Sequence, residues 1–321
     1  MVTFGLVGAE APFDPLILLI LAMGIEAYIG EAGFIFRRIK HPIAIIGSII
    51  GFFDDKLNRP KRSEVDRAIR GTFVVLVMVS GAVAIGLGVM WLTMHFTWGW
   101  VLEAALIVTM IAARGLYDAV ARVGQGLELG GLEGGRATVR HIVGRDPESL
   151  AENFCDAVVA PVFWYVILGF PGILAYKVVN TMDSMIGHRT PKHRAFGFTA
   201  ARLDDALNAI PARLSAIIIA TAAVFVPTAN PKASIATALR DARKHRSFNA
   251  GWPEGAAAGA LGLALAGPRN YEEGMVNDHW MGDGRARATS KDIQRALYLY
   301  AVACLITAGI VGVITLVRLE L

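Results

Sequence analysis

Two long stretches without a charged residue limit this chain to folds that a lipid bilayer can accommodate. The first runs from Thr72 to Met94, and the second runs from Leu297 to Val317 and is followed by Arg318. A helix needs about 20 apolar residues to cross a hydrocarbon core of about 30 Å, and both stretches meet that length. We therefore predict transmembrane helices here and assign the chain to the all-α integral membrane proteins.

Two more apolar runs each contain one carboxylate. Pro15 to Ile29 contains Glu26, and Phe96 to Ala113 contains Glu103. A carboxylate at the centre of a bilayer costs about 2.5–3.5 kcal/mol on insertion scales, so we expect both to face the interior of the helix bundle. Tryptophans on both sides of the turn at His95–Thr97 predict a helical hairpin. The prediction is therefore about four full transmembrane helices.

Two other apolar runs are irregular. Val158 to Tyr176 is interrupted by prolines and glycines, and Leu214 to Val226 is too short to cross a bilayer alone. Broken or short apolar segments are found where backbone lines a cavity inside a membrane protein. We expect these two runs to be re-entrant or short helices, or to form a hairpin together.

The distribution of charge predicts the orientation. Lysines and arginines are frequent in residues 37–62, whereas the leader before the first span holds Glu10 and Asp14 but no lysine or arginine. The positive-inside rule places the basic loop in the cytoplasm, and the polar blocks described below on the same side. The acidic leader does not fit a cleavable signal. Since the basic loops already have this orienting role, no nucleic-acid partner is expected.

We treat the chain as a single membrane-embedded domain with three parts. Residues 15–113 form the N-terminal helices and hairpin, residues 114–295 carry cytoplasm-facing polar blocks with re-entrant segments, and residues 296–321 form the C-terminal transmembrane helix. The two cysteines, Cys155 and Cys304, lie far apart in different contexts. They predict neither a disulfide framework nor a cysteine-based metal site.

Polar blocks separate the apolar stretches, and three of them combine carboxylates and amides at helical spacing. Residues three or four apart share one face of a helix, so each block should present an oxygen-rich face. Mg²⁺ prefers such ligands, usually one or two carboxylates completed by phosphate and water. The paired residues are Glu152 with Asp156, Asn180 with Asp183, and Asp204 or Asp205 with Asn208.

Cations accompany these blocks. Arg202 and Arg213 flank the third block, and a guanidinium group suits bidentate contact with phosphate, whereas lysine acts as a point charge. The cations around the second block are Lys177, Arg189, Lys192 and Arg194. Taken singly, each could be a solvated loop charge or a helix cap. Their recurrence between apolar runs favours a site for metal and phosphate.

Short motifs then follow one another in a distinctive order. They are His41-Pro42 with Gly47, Val143-Gly144-Arg145-Asp146, Ala151-Glu152-Asn153, Asn180-Thr181-Met182-Asp183-Ser184, Ala201-Arg202-Leu203-Asp204-Asp205 with Asn208, Pro211-Ala212-Arg213-Leu214 and Asn249-Ala250-Gly251-Trp252-Pro253-Glu254. In these motifs and their order the chain resembles the adenosylcobinamide-phosphate synthase family of cobalamin biosynthesis, the CobD/CbiB type. Members of that family are integral membrane proteins.

The chain departs from the family pattern at three places. The acidic positions near the first span read Glu26 and Glu31, and Ala32 replaces a proline. Phe248 stands where the family usually has proline, which should change local backbone stiffness. The family's short helical insertion between the Gly-Arg-Asp and Ala-Glu-Asn motifs is missing, so only residues 147–150 separate the two motifs here.

The resemblance implies a ligase of vitamin B12 biosynthesis in the bacterial inner membrane. It would form an amide between a propionate of adenosylcobyric acid and the amine of (R)-1-aminopropan-2-yl phosphate or ethanolamine phosphate. ATP would be the cosubstrate, Mg²⁺ the cofactor and the corrinoid the substrate. The lipid bilayer and other enzymes of the cobalamin pathway are the further partners that it implies.

The site residues implied by the resemblance fall into two groups. The catalytic group is Glu152, Asp156, Asp183, Asp204 and Asp205, of which Asp183, Asp204 and Asp205 are the expected Mg²⁺ ligands. The substrate-binding group is His41, Asn153, Lys177, Asn180, Arg202, Asn208, Arg213, Asn249, Trp252 and Glu254. Arg202 and Arg213 are expected to neutralise charge during phosphoryl transfer, and Glu152 or Asp156 to deprotonate the amine. Trp252 is expected to cover an apolar edge of the corrin.

Three other functions stay open from the residues alone. A membrane prenyltransferase also combines aspartate and asparagine faces with Mg²⁺ and diphosphate. A transporter could use the intramembrane Glu26 and Glu103 at a site near the midplane. A non-catalytic membrane sensor of the same superfamily would keep the spans but lose the polar blocks.

Overall fold

The computed structural model describes residues 13–30, 40–141, 150–188, 190–271 and 274–320 of this chain. The helices are α1 (Pro15–Ile29), α2 (Pro42–Leu57), α3 (Glu64–His95), α4 (Gly99–Met110), α5 (Ala113–His141), α6 (Leu150–Phe154), α7 (Ala160–Ile186), α8 (Phe198–Ala222), α9 (Pro231–Asp241), α10 (Gly251–Leu261) and α11 (Ser290–Glu320). A π-helical turn (Cys155–Val159) joins α6 to α7, and a 3-10 turn (Ala242–Lys244) follows α9. Strands β1 (Leu265–Tyr271) and β2 (Gly274–Met281) lie between α10 and α11. The predicted features at Glu31, Ala32, residues 143–149 and Arg189 fall outside the described residues.

Five helical stretches in the described part of the chain are long and apolar enough to cross a membrane. They are Glu64–His95, Gly99–Gly131, Leu150–Ile186, Phe198–Ala222 and Ser290–Glu320. The two uncharged stretches of the sequence lie inside the first and the last of these, which confirms an all-α integral membrane fold. Helix α1 is apolar but shorter, with 15 residues.

The two irregular apolar runs belong to longer helices than expected. Residues 158–176 lie within the Leu150–Ile186 stretch, which bends at Gly169, where φ is 65° and ψ is −155°. That positive φ suits a residue without Cβ, and the interruption accommodates Pro171, which cannot donate a backbone hydrogen bond. The apolar run that begins at Leu214 is part of a helix long enough to cross a bilayer, because α8 already begins at Phe198. The polar third block therefore forms the first half of a helix of spanning length.

Side-chain caps fix where several helices begin. Asp14 Oδ1 accepts from Leu16 N at 2.8 Å, with Pro15 at the first helical position of α1. Ser63 Oγ accepts from Asp66 N at 3.2 Å at the start of α3. Such caps satisfy backbone N–H groups that have no partner within the helix. They explain why α1 begins at Pro15 and α3 at Glu64.

Both intramembrane carboxylates face the protein interior, as predicted. Glu26 is fully buried on α1 and Glu103 is buried on α4. Thr93 Oγ1 donates to Glu103 Oε2 at 2.6 Å, and the Tyr165 hydroxyl donates to Glu103 Oε1 at 2.7 Å. A buried polar group costs free energy unless it is hydrogen-bonded, so these two donors make the carboxylate tolerable within an apolar bundle.

The described chain forms two compact units that are interleaved along the sequence. Unit 1 combines Met1–Ala112, Ala160–Leu207 and Val311–Leu321, and unit 2 combines Ala113–Val159 and Asn208–Ile310. Neither unit coincides with one of the three sequence parts described above. The single-domain assignment stays a prediction.

In unit 1, helices α3 and α7 approach each other closely. A Cβ atom at Gly86 of α3 would lie 2.5 Å from Pro171 Cα of α7, closer than real Cβ atoms come to backbone. One at Gly71 would overlap the carbonyl of Phe196. The hydroxyls of Thr72 and Thr199 are hydrogen-bonded at 2.6 Å next to this second close approach. Small residues that let backbones approach are the usual basis of helix packing in membranes.

A buried polar network also holds unit 1 together. Asp54 on α2 accepts from Asn58 Nδ2 at 2.7 Å, Lys192 Nζ at 2.7 Å and His193 Nε2 at 3.2 Å. Arg67 of α3 donates to Asn58 Oδ1 at 2.7 Å and to the carbonyl of Lys192. Burial alone would raise the pKa of the Asp54 carboxyl, but the hydrogen bonds from Lys192, Asn58 and His193 outweigh it and hold this pKa below its usual range.

Unit 2 packs parts of several helices around an apolar core and adds a β-hairpin that the all-α prediction did not include. Strands β1 and β2 are antiparallel, with Leu265 opposite Met281 and Ala266 opposite Trp280. Gly267, at φ 84°, leaves room for the Trp280 ring, which a Cβ atom would contact at 2.6 Å. Apolar side chains of α5, α6, α8, α10 and α11 form the core.

We expect Gly86→Ala to destabilise the protein, although alanine normally stabilises a helix relative to glycine. The added methyl would push α3 and α7 apart, and overpacking of this kind costs about 1–3 kcal/mol. The matched control is Gly88→Ala on the same helix, where an added Cβ would meet nothing within 4 Å in the described chain. Thermal unfolding in detergent micelles measures both. Equal melting temperatures for the two variants would contradict the close helix crossing.

Candidate functional site

In unit 1, α7 and α8 bring the second and third polar blocks together. Asn180 Nδ2 on α7 donates to Asp204 Oδ1 on α8 at 3.4 Å. These residues are 24 positions apart in the sequence, so their contact depends on the packing of the two helices. One amide and one carboxylate thus lie side by side on facing helices, as the predicted oxygen-rich faces require.

Asp205 and Arg202 form a second polar pair on the first turns of α8. Arg202 Nη1 lies 3.2 Å from Asp205 Oδ2, and the guanidinium carbon lies 5.5 Å from the centre of the Phe198 ring. The Arg202 side chain is 58% exposed and that of Asp205 is 35% exposed. Both groups therefore remain accessible to a ligand approaching from solvent.

Asp183 lies near the end of α7 and is partly buried. Its backbone carbonyl accepts from Gly187 N at 2.8 Å, and a Cβ atom at Gly187 would overlap the Asp183 carboxylate. Gly187 therefore leaves the space that this carboxylate occupies. No three His, Cys, Asp or Glu side chains within the described ranges gather closely enough to form a ready-made metal site.

The residues near Asn180 fit a magnesium ion only in part. Mg²⁺ commonly takes one or two protein carboxylates and completes its octahedron with phosphate and water, so a triad of aspartates is not required. The Asp204 carboxylate beside the Asn180 amide offers hard oxygen ligands of the right kind. The predicted set of Asp183, Asp204 and Asp205 stays a prediction.

Two cations expected to hold an anion near the second block have carboxylate partners instead. Lys192 contacts Asp54 at 2.7 Å, and Arg194 contacts Glu64 at 2.5 Å. His41 caps α2, because its Nδ1 accepts from Ile43 N at 3.2 Å. These contacts account structurally for all three residues. Lys177, which is partly buried on α7, has its own interactions within the described chain.

In unit 2, the first polar block lies at a change of helix type. Glu152 and Asn153 belong to α6, whereas Asp156 belongs to the π-helical turn Cys155–Val159. The spacing expected for an α-helix therefore does not hold between Glu152 and Asp156. The Cys155 thiol contacts Asn208 Oδ1 at 3.9 Å, which brings the end of the third block to the first. Single π-helical turns are frequent at functional sites.

Arg213 is held between two aromatic rings. Its guanidinium carbon lies 4.8 Å from the centre of the Phe248 ring and 4.9 Å from that of the Trp252 ring. Nη1 donates to the Ala209 carbonyl at 2.6 Å and to Asn249 Oδ1 at 3.3 Å. Phe248, Asn249 and Trp252, which lie close together in the sequence, thus surround Arg213. The expected role of Trp252 against a corrin edge is untested, but its ring already packs on a guanidinium.

Glu254, in the first turn of α10, lies beside a residue that the sequence did not single out. His245 Nε2 is 3.5 Å from Glu254 Oε2, and both side chains are buried. Unit 2 also contains an apolar cavity of about 280 Å³, lined by residues including Phe154, Leu261 and Tyr300. Periodicity could not have revealed either feature, because the pair joins the turn after α9 to α10 and the cavity is lined by residues from distant segments.

A buried aspartate anchors the basic segment that precedes Asn249. Asp241 accepts from Arg240 Nη2 at 2.6 Å, Lys244 Nζ at 2.8 Å and Gly282 N at 3.0 Å. Arg240 also pairs with Asp283. The Arg240 guanidinium holds the pKa of Asp241 far below its usual range, and the Lys244 and Gly282 donors add to this despite burial of the carboxyl. Asp241 thereby joins α9 to the end of the β-hairpin.

Comparison with known proteins gives a consistent result over most of the chain. The family described as CobD/Cbib protein matches residues 19–300. A protein of Sinorhizobium sp named Cobalamin biosynthesis protein CobD is 44% identical, covering 94% of this chain and 98% of that protein. Proteins of the same name from Rhizobium meliloti (strain 1021) and Rhodobacter capsulatus are 43% and 40% identical, covering 90% and 94% of this chain and 93% and 96% of theirs. No solved structure matches.

We expect Asp241→Asn to lower the free energy of unfolding at pH 7 by about 2 kcal/mol, because hydrogen bonds to a charged group are lost. The folded pKa is depressed, so the stabilisation is complete above the pKa of the unfolded carboxyl, 3.8. It disappears as the pH falls through the lower folded value. Denaturant unfolding in micelles between pH 7 and pH 3 should show a difference that is constant at first and shrinks in acid.

The control for this variant is Asp118→Asn, which removes an exposed pair with Arg114 of 3.0 Å on α5. Exposed pairs of this spacing contribute about 0.3–0.5 kcal/mol. A loss in Asp241→Asn no larger than in the control, or one that grows in acid, would contradict the role assigned to Asp241.

Proposed function

This chain belongs to the CobD/Cbib protein family, and on that premise we propose that it acts in cobalamin biosynthesis as an adenosylcobinamide-phosphate synthase. The relatives align with this chain over nearly their whole length, and they are named for cobalamin biosynthesis. The resemblance of the polar motifs to the synthase family supplies the reaction. It is ATP-dependent formation of an amide between a propionate of adenosylcobyric acid and the amine of aminopropanol phosphate or ethanolamine phosphate.

The reaction requires activation of both the propionate carboxylate and the ammonium group. A carboxylate is a poor acyl donor, so a propionate oxygen attacks the terminal phosphorus of ATP and ADP leaves, which gives an acyl phosphate. The amine must be neutral to attack that carbonyl carbon, so a base takes one proton from the ammonium. Inorganic phosphate then departs and the amide remains. Polar side chains near the reacting groups therefore have two tasks, which are charge neutralisation and proton removal.

The observation that carries this proposal is the contact between Asn180 and Asp204. It places an amide and a carboxylate from two separate polar blocks within 3.4 Å of each other. When bound, Mg²⁺ would neutralise the phosphate charge, and Asp204 with Asp183 or Asp205 would hold it. The accessible guanidinium of Arg202, next to Asp205, would contact phosphate oxygens.

The resemblance to the synthase family makes Glu152 and Asp156 the candidates for the proton-removing group. Glu152 and Asp156 are partly exposed carboxylates on either side of the α6 boundary, and either could accept the ammonium proton. Asn153 and Asn208 belong to the same unit, and their amides could orient the substrate. Asn249 orients Arg213 already, through its Oδ1 atom.

We propose further that the protein lies in the bacterial inner membrane with its polar blocks facing the cytoplasm. The support is the apolar length of its helices together with the basic residues that follow the first apolar run. ATP and the phosphorylated amine are cytoplasmic metabolites, so this orientation gives the site access to both. Other enzymes of the pathway would deliver and collect the corrinoid on that face.

The test is a conversion assay with the full chain in lipid nanodiscs. Adenosylcobyric acid, ATP, Mg²⁺ and aminopropanol phosphate are supplied, and adenosylcobinamide phosphate is followed by mass spectrometry. We expect product from the wild type and a loss of at least about 100-fold in Asp204→Asn, in the range that removing one electrostatic catalytic group costs. Asp205→Asn should also lose turnover.

Asp66→Asn is the matched control, because Asp66 is a partly exposed carboxylate of unit 1 whose pair with Arg70 spans 3.0 Å on α3. It should retain activity. Unchanged turnover in a folded Asp204→Asn variant would remove this aspartate from the mechanism. Product that depended on an isoprenoid instead of the corrinoid would replace the synthase proposal with the prenyltransferase alternative.

A further inference from the structure

The apolar cavity of about 280 Å³ in unit 2 lies among four of the helical stretches that are long and apolar enough to cross a membrane. Each of these stretches contributes buried apolar side chains to the cavity wall, and residues 261–265 complete it. One such side chain from each stretch, in chain order, belongs to Val120, Phe154, Ile219 and Leu299. An apolar cavity in this position is within reach of the hydrocarbon of a bilayer.

The polar side chains in the cavity wall already have partners within the protein. The Tyr300 hydroxyl donates to the Ala113 carbonyl at 2.9 Å. Asp292 accepts from Arg285 Nη2 at 2.9 Å and from Thr289 Oγ1 at 2.7 Å. A polar ligand group buried here would lose its hydrogen bonds to water without gaining equivalent ones, which costs free energy. The wall therefore selects a hydrocarbon ligand.

One side of the cavity is polar and exposed. Among its described lining residues, Arg285, Ala286 and Ala288 are exposed, whereas the others are buried or partly buried. We call residues 285–288 the mouth of the cavity. The mouth directly precedes α11, and a segment that leads into a spanning helix lies at the boundary between lipid and water. The cavity thus suits an amphiphile whose headgroup stays at this boundary.

From the mouth, the cavity follows α11 inward. Asp292, in the first turn of α11, and Ala303, within the uncharged stretch 297–317, both line it. They are 11 positions apart, which corresponds to about 16 Å along a helix axis. Half of a hydrocarbon core of about 30 Å has nearly the same depth. The cavity therefore extends over about one leaflet, which is the depth that one acyl chain occupies.

Neither water nor empty space is a favourable occupant of such a cavity. An engineered apolar cavity of about 150 Å³ in another protein stays dry and binds benzene, and the present cavity is larger, at about 280 Å³. An unfilled apolar cavity costs free energy in proportion to its volume, because its walls lose dispersion contacts. A hydrocarbon chain that enters from the bilayer restores those contacts.

We propose that this cavity binds one acyl chain of a bilayer phospholipid, with the headgroup at the mouth. Arg285 is already paired with Asp292 at 2.9 Å, so the site does not require an anionic headgroup. A corrinoid carries amide and carboxylate groups that the apolar wall would leave without hydrogen bonds. Phospholipid is also the main source of hydrocarbon chains at the boundary where the mouth lies.

The bound chain contacts the helix that carries part of the first polar block. Leu150, Ala151 and Phe154 of α6 line the cavity, whereas Glu152 and Asn153 of the same helix do not. A helix of five residues is unstable by itself and depends on packing of its apolar face. The acyl chain supplies part of that packing and thereby supports α6 from the side opposite to its polar residues.

Photolabelling from within the bilayer tests the proposal. The full chain is placed in phosphatidylcholine nanodiscs with a minor share of phosphatidylcholine that carries a diazirine at the end of one acyl chain, and labelled residues are located by tandem mass spectrometry. We expect a cavity label, on Phe154 and Leu261, whose side chains are 1% and 5% exposed. A surface label on Leu305, which is 72% exposed, reports bulk lipid. A surface label without a cavity label would overturn the proposal.

Three variants on one side of the cavity sharpen this test. Ala288→Phe narrows the mouth and Ala296→Phe fills the cavity, so both should lose the cavity label and keep the surface label. The matched control is Ala301→Phe on α11, which is partly exposed and outside the cavity wall, and it should keep both labels. Because Ala288 is exposed, a larger side chain there leaves the core packing intact. A cavity label that persists in both Ala288→Phe and Ala296→Phe would refute the site.

Hydrogen exchange tests the support of α6. Backbone amides of residues 150–154 should exchange faster in Ala288→Phe than in Ala301→Phe, because only the former excludes the chain that packs on α6. Equal exchange in the two variants, with the cavity label lost in the first, would contradict the support assigned to this helix.

Two further arms identify the source of the chain. A free fatty acid with the same diazirine replaces the phospholipid probe in one, and adenosylcobyric acid is added as a competitor in the other. We expect the phospholipid probe to give the cavity label with and without adenosylcobyric acid. A cavity label from the fatty acid probe alone, or its loss on addition of adenosylcobyric acid, would assign the cavity to another ligand. These samples contain no ATP, so the result is independent of the proposed amide formation.

Discussion

Backbone hydrogen bonding in an apolar solvent is the constraint on which this structure depends. Within a bilayer no water can satisfy an exposed N–H or C=O group, so each apolar stretch must form a helix that satisfies its own backbone. The same constraint drives polar side chains inward and into pairs. Glu103 illustrates it, since both carboxylate oxygens accept hydrogen bonds, from Thr93 and Tyr165. The irregular backbone at Gly169 is likewise enclosed, because the glycine is buried.

Buried carboxylates follow the same pattern in the two units. In unit 1 the Asp54 carboxylate is surrounded by Asn58, Lys192 and His193, so buried charge is matched by donors. In unit 2 the carboxylates of Asp241 and Asp292 are likewise buried and paired, with Arg240 and Lys244 and with Arg285 and Arg295. A buried charge costs free energy unless it is paired and hydrogen-bonded, so these contacts make the buried carboxylates of both units tolerable.

The motifs that identify the family are distributed over both units. Asn180, Asp183, Asp204 and Asp205 belong to unit 1, whereas Glu152, Asp156, Arg213 and Asn249 belong to unit 2. Within unit 1 the contact between Asn180 and Asp204 joins two motifs, and within unit 2 the contact between Arg213 and Asn249 joins two others. Each of these contacts therefore brings together motifs that are separate in the sequence.

The sequence by itself determined that this chain is an integral membrane protein, that it is mostly helical and which family it belongs to. Uncharged stretches such as Thr72–Met94 and the polar motifs can be recognised within short segments of the sequence, without knowledge of the fold. Only the tertiary structure decided which polar groups meet, for example that Lys192 pairs with Asp54 and Arg194 with Glu64. It also decided that the broken runs extend into long helices and that a β-hairpin follows α10. The physical reason is that charge compensation and close packing depend on residues far apart in the chain, which no local pattern records.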